Sequence, residues 1–154
     1  MKRWLFLAAT VLGACAGAPA APADIRQVVS TTSFGMCVGY CTTRLELSEG
    51  QAVLIREARG GRGAPQGLPE QRISAVLTPD EWQEIERLAA NANLSGLPAV
   101  IGCPDCADGG AESLTIAGAG EPRTVSFEYG AAVAQAQPLL DRVRAVRARL
   151  MPAE

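Results

Sequence analysis

Apolar residues recur along this chain with a period of two in several short stretches and with a helical period in two longer ones, and that division predicts its elements. Residues 25–33 are dense in β-branched side chains (Ile25, Val28, Val29, Thr31, Thr32), which favours a strand. In 42–47, Leu45 and Leu47 alternate with Arg44 and Glu46, the pattern of a strand with one buried face. A Ser-Glu-Gly-Gln turn at 48–51 offers Gly50 for a positive φ, so 52–58 returns as the second arm of a hairpin. Residues 59–69, RGGRGAPQGLP, are basic and glycine-rich. They lack the Gly-Lys-Ser/Thr ending and the following helix of a phosphate-cradling loop, and read as a mobile hairpin connection leading to a strand at 72–77.

Thr78-Pro-Asp-Glu81 is a complete helix start. Thr78 can cap the amide of Glu81 while Glu81 reaches back, Pro79 suits the first helical position, and Leu77 can staple against Trp82. Trp82, Ile85, Leu88, Ala89 and Ala92 then share one face, and 93–96 ends the helix. Pro and Gly punctuate 95–110, which predicts irregular chain, and strands at 112–117 and 123–129 follow as a hairpin around 118–122. A second helix opens at Pro138 with Leu139, Val143, Val146 and Leu150 in one stripe. Its Arg142, Arg144, Arg147 and Arg149 read as a solvated face that complements the helix dipole. Together these elements predict an α+β domain, a largely antiparallel sheet of about five strands with two helices packed on one face.

The 154 residues, 48% apolar and 5% aromatic, suffice for one hydrophobic core and are too few for two ordinary domains. Fourteen basic and sixteen acidic side chains give a charge of −2, and without Lys2 and Arg3 the balance is 12 against 16, or −4. Mild acidity argues against a nucleic-acid partner, which needs a concentrated basic face. There is no histidine, which excludes His-based triads, His-ligated zinc, haem with a proximal His and imidazole acid–base chemistry. No cofactor is called for.

Met1-Lys-Arg precedes a short apolar run at 4–12, well under the ~20 residues that cross a bilayer core, so the start reads as a leader and not as a span. Leu12-Gly-Ala-Cys15 resembles the lipobox of bacterial lipoproteins. The resemblance implies that 1–14 are a signal peptide, that Cys15 is lipidated, and that a membrane is one partner of the mature protein. Ala16 stands where an aspartate would resemble the signal for inner-membrane retention, which implies the outer membrane, facing the periplasm. Residues 15–24 then comprise the lipidated cysteine and a Pro/Ala tether, leaving a single domain over 25–154.

Four cysteines remain, as Cys37-x3-Cys41 and Cys103-x2-Cys106. Both spacings suit a four-thiolate zinc site, but an exported chain enters an oxidising envelope where thiols pair. Cys103-Pro-Asp-Cys106 has the form of some thiol oxidoreductases, yet the residues that follow, Ala-Asp-Gly-Gly, break the helix that such a thiol needs. Three connectivities are open. A β-turn through Pro104 would bring Cys103 and Cys106 within ~7 Å, whereas Cys37 and Cys41 on a straight strand would stand ~13 Å apart unless Gly39 turns the chain. Phe34-Gly-Met-Cys37-Val-Gly-Tyr-Cys41 followed by an alternating strand, an acidic-Gly turn and a second strand resembles a family of small bacterial envelope domains of unknown function. That resemblance implies local pairing of Cys37 with Cys41, and the turn through Pro104 then favours Cys103 with Cys106, a second pair that the family pattern lacks. The family pattern has Pro where Thr42 stands and Tyr where Arg44 stands.

No spacing marks a carboxylate, Ser, Tyr, Lys or thiol as activated, so the domain reads as a binding or structural module with an unknown envelope partner and not as an enzyme. The alternative is a thiol-redox or metal-binding protein using Cys37, Cys41, Cys103 and Cys106. The irregular loops around the two cysteine pairs are the candidate binding surface, with Tyr40 and Asp105 as its representatives. Asp105, Asp108 and Glu112 do not keep the spacing of a calcium loop and read as solvated turn carboxylates.

Overall fold

Residues 24–59 and 68–153 are described by a computed structural model of the protein. The expected leader, Cys15, most of the expected tether and residues 60–67 of the glycine-rich connection lie outside the described residues. Six strands form, one at each stretch that the sequence marks as a strand, in a sheet close to the five or so expected: β1 (Ile25–Ser33), β2 (Gly39–Ser48), β3 (Gln51–Arg59), β4 (Gln71–Val76), β5 (Ala111–Gly118) and β6 (Arg123–Glu128). They make one antiparallel sheet in the order β4-β3-β2-β1-β5-β6, with β1 and β2 at its centre. Gly50 has a φ of 72°, the left-handed conformation that the tight β2–β3 turn requires.

The helices are α1 (Pro79–Asn91) and α2 (Gln137–Leu150). The capping box forms as its sequence predicts: Glu81 N–H donates to Thr78 Oγ1 at 3.2 Å, and Thr78 N–H donates to Glu81 Oε2 at 3.0 Å. Trp82, Ile85 and Ala89 of α1 and Leu139, Val143, Val146 and Leu150 of α2 are buried in one core with the sheet. Both helices therefore cover the same face. Glu81 also joins them, accepting from Arg142 at 3.3 Å and from Arg149 at 2.8 Å.

Strand register divides the helix-facing side of the sheet into cross-strand rows. One row runs Ala75, Ala52, Leu47, Val28, Ile116, Arg123, and the next runs Ile73, Leu54, Leu45, Ser30, Leu114, Val125. These two rows are mostly apolar and bear the core, where each fully buried Leu or Val contributes about 1.5–3 kcal/mol. The third row, at the end where β1, β3 and β6 finish, reads Gln71, Arg56, Thr43, Thr32, Glu112, Phe127. Here the face that should be greasy turns polar across five strands, and this change positions the site described below.

The opposite face carries Ser, Thr and charged residues, with Val53 and Ile55 buried among them. Cross-strand partners Glu46 and Arg44 flank those two residues and pair with each other at 3.2 Å. Past α1, Asn93 takes a left-handed φ of 42°, and Arg123 donates to the carbonyls of Leu94 and Leu97. The chain then runs beside β6, where Ile101 N–H donates to Ser126 O and Ser126 N–H to Ala99 O, both at 2.9 Å. This docking delivers the second cysteine pair to the polar end of the sheet. Among the described residues no helix is long and apolar enough to cross a membrane.

Candidate functional site

Both cysteine pairs close locally. Cys37 is bonded to Cys41 with Cα atoms 5.5 Å apart, and the turn that a straight strand could not make is supplied by Gly39 at a φ of 93°. Phe34 N–H donates to Cys41 O at 3.1 Å, and a register irregularity between Tyr40 and Thr42 marks a bulge at Cys41. Cys103 is bonded to Cys106, also with a 5.5 Å Cα separation. Cys106 N–H donates to Cys103 O at 3.1 Å, and Asp105, two residues into this turn, has the left-handed φ of 61° that a type II turn demands there.

The two stapled segments are tied to each other. Gly35 N–H donates to Asp105 Oδ1 at 3.1 Å, and a Cβ at position 35 would lie 2.5 Å from Asp105 Oδ2, so only glycine lets the carboxylate approach. Asp105 N–H and Tyr129 N–H both donate to Gly110 O, at 3.0 and 3.1 Å. The Phe34 ring meets Tyr129 edge-on with centroids 4.9 Å apart. Met36, Val38, Leu68, Tyr129 and Met151, five of the seven exposed large apolar residues among the described ones, belong to this end.

Between the polar row of the sheet and the last turns of α2 lies an open cleft of about 520 Å³. Thr32 and Thr43, register partners on β1 and β2, form its floor. Arg56 stands on the β3 side and Arg144 and Arg147 of α2 on the other, while Phe34, Tyr40, Tyr129 and Met151 contribute to the mouth. Tyr40 donates its hydroxyl to Pro69 O at 2.9 Å, and its ring lies under the Arg56 guanidinium, 4.6 Å from the centroid.

Glu112 anchors the α2 side of the cleft. Its side chain is fully buried at an inward position of β5, and a buried carboxylate must be both paired and hydrogen-bonded. Oε2 accepts from Arg144 Nη2 at 2.7 Å and Nε at 3.1 Å, and Oε1 accepts from Arg147 Nη1 at 3.1 Å. Arg147 also donates to Ser30 Oγ, and Arg144 to Ala131 O at 2.9 Å. Burial alone would raise the Glu112 carboxyl. The Arg144 hydrogen bonds and the charges of Arg147 and Arg144 outweigh it, so the group titrates below the ordinary carboxylate range and stays ionised.

Two readings of the sequence are corrected here. Glu112 is not a solvated turn carboxylate, because period-two alternation puts it on the same inward face as Leu114. The arginines of α2 are not a solvated face: Arg144 and Arg147 border the apolar stripe and turn onto Glu112, while Arg142 pairs with Glu81 and Glu84. Tyr40 and Asp105 fall at the same end, with Tyr40 lining the cleft and Asp105 engaged in holding the loops together. Sequence reasoning passed over Thr32, Thr43, Arg56, Arg144 and Arg147. For Thr32, Thr43 and Arg56 the one local sign was polarity at inward-facing strand positions, and for Arg144 and Arg147 it was their place beside the apolar stripe of α2.

Among the described residues, no three His, Cys, Asp or Glu side chains gather where a metal could be shared, so the four sulfurs do not form one cluster. A single 3-10 turn, Cys106–Asp108, follows the second pair in place of the α-helix that activates an oxidoreductase thiol. No protein-family model matches the chain, and no curated protein matches its sequence.

Proposed function

We propose that the chain is a lipid-anchored binding module of the bacterial envelope. Cys15 carries the anchor, the Pro/Ala tether holds the domain away from the outer membrane on its periplasmic side, and the stapled end is the binding end. The observation that carries this reading is convergence: both disulfide turns, most of the exposed apolar side chains and the mouth of a 520 Å³ cleft lie at one end of the sheet. Ligand sites are commonly concave, mainly apolar and fitted with a few polar groups, and a cleft of this volume is in their usual range. Cross-linking two loops into defined turns keeps such a site preformed and lowers the ordering cost of binding.

Intact-mass analysis of protein extracted from membranes tests the anchor: acyl chains on Cys15 are expected, and Cys15→Ser abolishes them. An unmodified Cys15 in a mature chain that starts elsewhere contradicts it. Photo-crosslinking in intact cells tests the binding end, with a photoreactive phenylalanine replacing Tyr40 or, as a control on the exposed β4 edge, Val76. Discrete adducts from position 40 and none from position 76 are expected. Equal labelling from both positions contradicts the assignment.

A further inference from the structure

Resting on the cleft as the binding end, we infer that its ligand is a small organic anion, a carboxylate or phosphate head carried on an apolar body about the size of an aromatic ring. The cleft is over-supplied with positive charge. Three guanidiniums, Arg56, Arg144 and Arg147, line it, and among the described residues the one carboxylate beside them is Glu112. Glu112 neutralises one of the two α2 arginines and shares its oxygens between both, which leaves, among the described residues, a surplus of two positive charges around the threonine floor.

Arg56 has no carboxylate partner among the described residues. It donates Nη1 to the neutral Gln71 Oε1 at 3.0 Å, and its Nε is buried without a hydrogen-bond partner among the described residues. Arg147 Nε is in the same condition, on a side chain only 11% exposed. Buried donors without partners are costly, and a guanidinium presents five donors in a planar fork that matches carboxylate and phosphate oxygens. An anion seated between Arg56 and Arg147 would take hydrogen bonds from their guanidinium N–H groups and cancel surplus charge. Thr32 and Thr43 lie beneath, at the floor.

The apolar body is read from the mouth. Phe34, Tyr40, Tyr129 and Met151 line it, so a headgroup held on the arginines would leave its substituent against aromatic and thioether surface. Inorganic phosphate satisfies the arginines and leaves that surface unused, and a neutral aromatic does the reverse. Only the combination uses both halves of the cleft.

Isothermal titration calorimetry on the full chain in detergent tests this, with phenyl phosphate, phenylacetate, inorganic phosphate and 2-phenylethanol as probes. Either or both aryl anions should bind one site per chain, at least about tenfold tighter than 2-phenylethanol and than inorganic phosphate, since charge-assisted hydrogen bonds and ring contacts each supply about that factor. Which aryl anion binds tighter identifies the headgroup. Arg147→Gln orphans Glu112 and endangers the fold, so the decisive variant is Arg56→Gln, which breaks no ion pair. It should weaken the aryl anions about tenfold or more and leave 2-phenylethanol unchanged. If 2-phenylethanol binds as tightly as the anions and Arg56→Gln changes nothing while Tyr40→Ala weakens all probes, the anion assignment is overturned and the cleft stands. If no probe binds, or neither variant alters binding, the assignment fails together with the reading of the cleft.

Discussion

Glu112 concentrates the chemistry of this domain in one side chain. A carboxylate buried completely among guanidiniums stabilises only as part of its set, because removing one member leaves the others as uncompensated charge in a low-dielectric site. Glu112→Gln is expected to cost about 3–5 kcal/mol, read as the loss of unfolding free energy in a urea titration. The pH dependence has a definite sign. The folded-state carboxyl titrates below its unfolded value, so its stabilisation is fully present above the ordinary carboxylate range and is lost as pH falls through the folded value. Glu81, lowered to about 2 by the Thr78 backbone hydrogen bond first and Arg149 second, acts in the same direction. Glu112→Gln should therefore flatten the acid limb of stability against pH without abolishing it, and an unchanged limb would contradict the account. The sequence carried a sign of this residue. Glu112, Leu114 and Ile116 alternate onto one face, and an acid there calls for a cationic partner, but nothing local says that the partner comes from residues 144 and 147.

At the scale of elements the chain is more readable. The helix start at 78–81 is encoded within four residues, because capping uses only neighbours, and the structure forms it in full. Thr78→Ala should cost about 1 kcal/mol, measurable as a drop in thermal midpoint, while Thr78→Ser should recover most of it. No difference between the Ala and Ser variants would mean that the cap bears no load. Strand positions were legible for the same reason, since side-chain alternation is a property of each strand by itself. The turns at Gly39 and Pro104 were legible as possibilities, and the closed staples follow once those turns are made. What a local pattern could not give was the tie between Gly35 and Asp105, seventy residues apart, which turns two separate loops into one surface.

For the molecule as a whole, the α+β architecture followed from the order of periodic segments, and the cleft did not. Its floor, walls and mouth draw on β1, β2, β3, α2 and the chain after β1 and β6, so it exists only once the sheet register is set. The register then makes it plain. The row Gln71, Arg56, Thr43, Thr32, Glu112 interrupts an otherwise apolar face at the end where the stapled loops gather. A sheet face built only to hold two helices would have continued its apolar rows, and the polar row is what separates a site from a core. The direct test of that distinction is chemical-shift mapping of the full chain during titration with phenyl phosphate or phenylacetate, whichever binds tighter. The account predicts that the largest backbone amide shifts fall at Thr32, Thr43, Arg56, Tyr129 and Arg147. Shifts confined to the β4 edge or to the outer sheet face around Arg44 and Thr115 would contradict it.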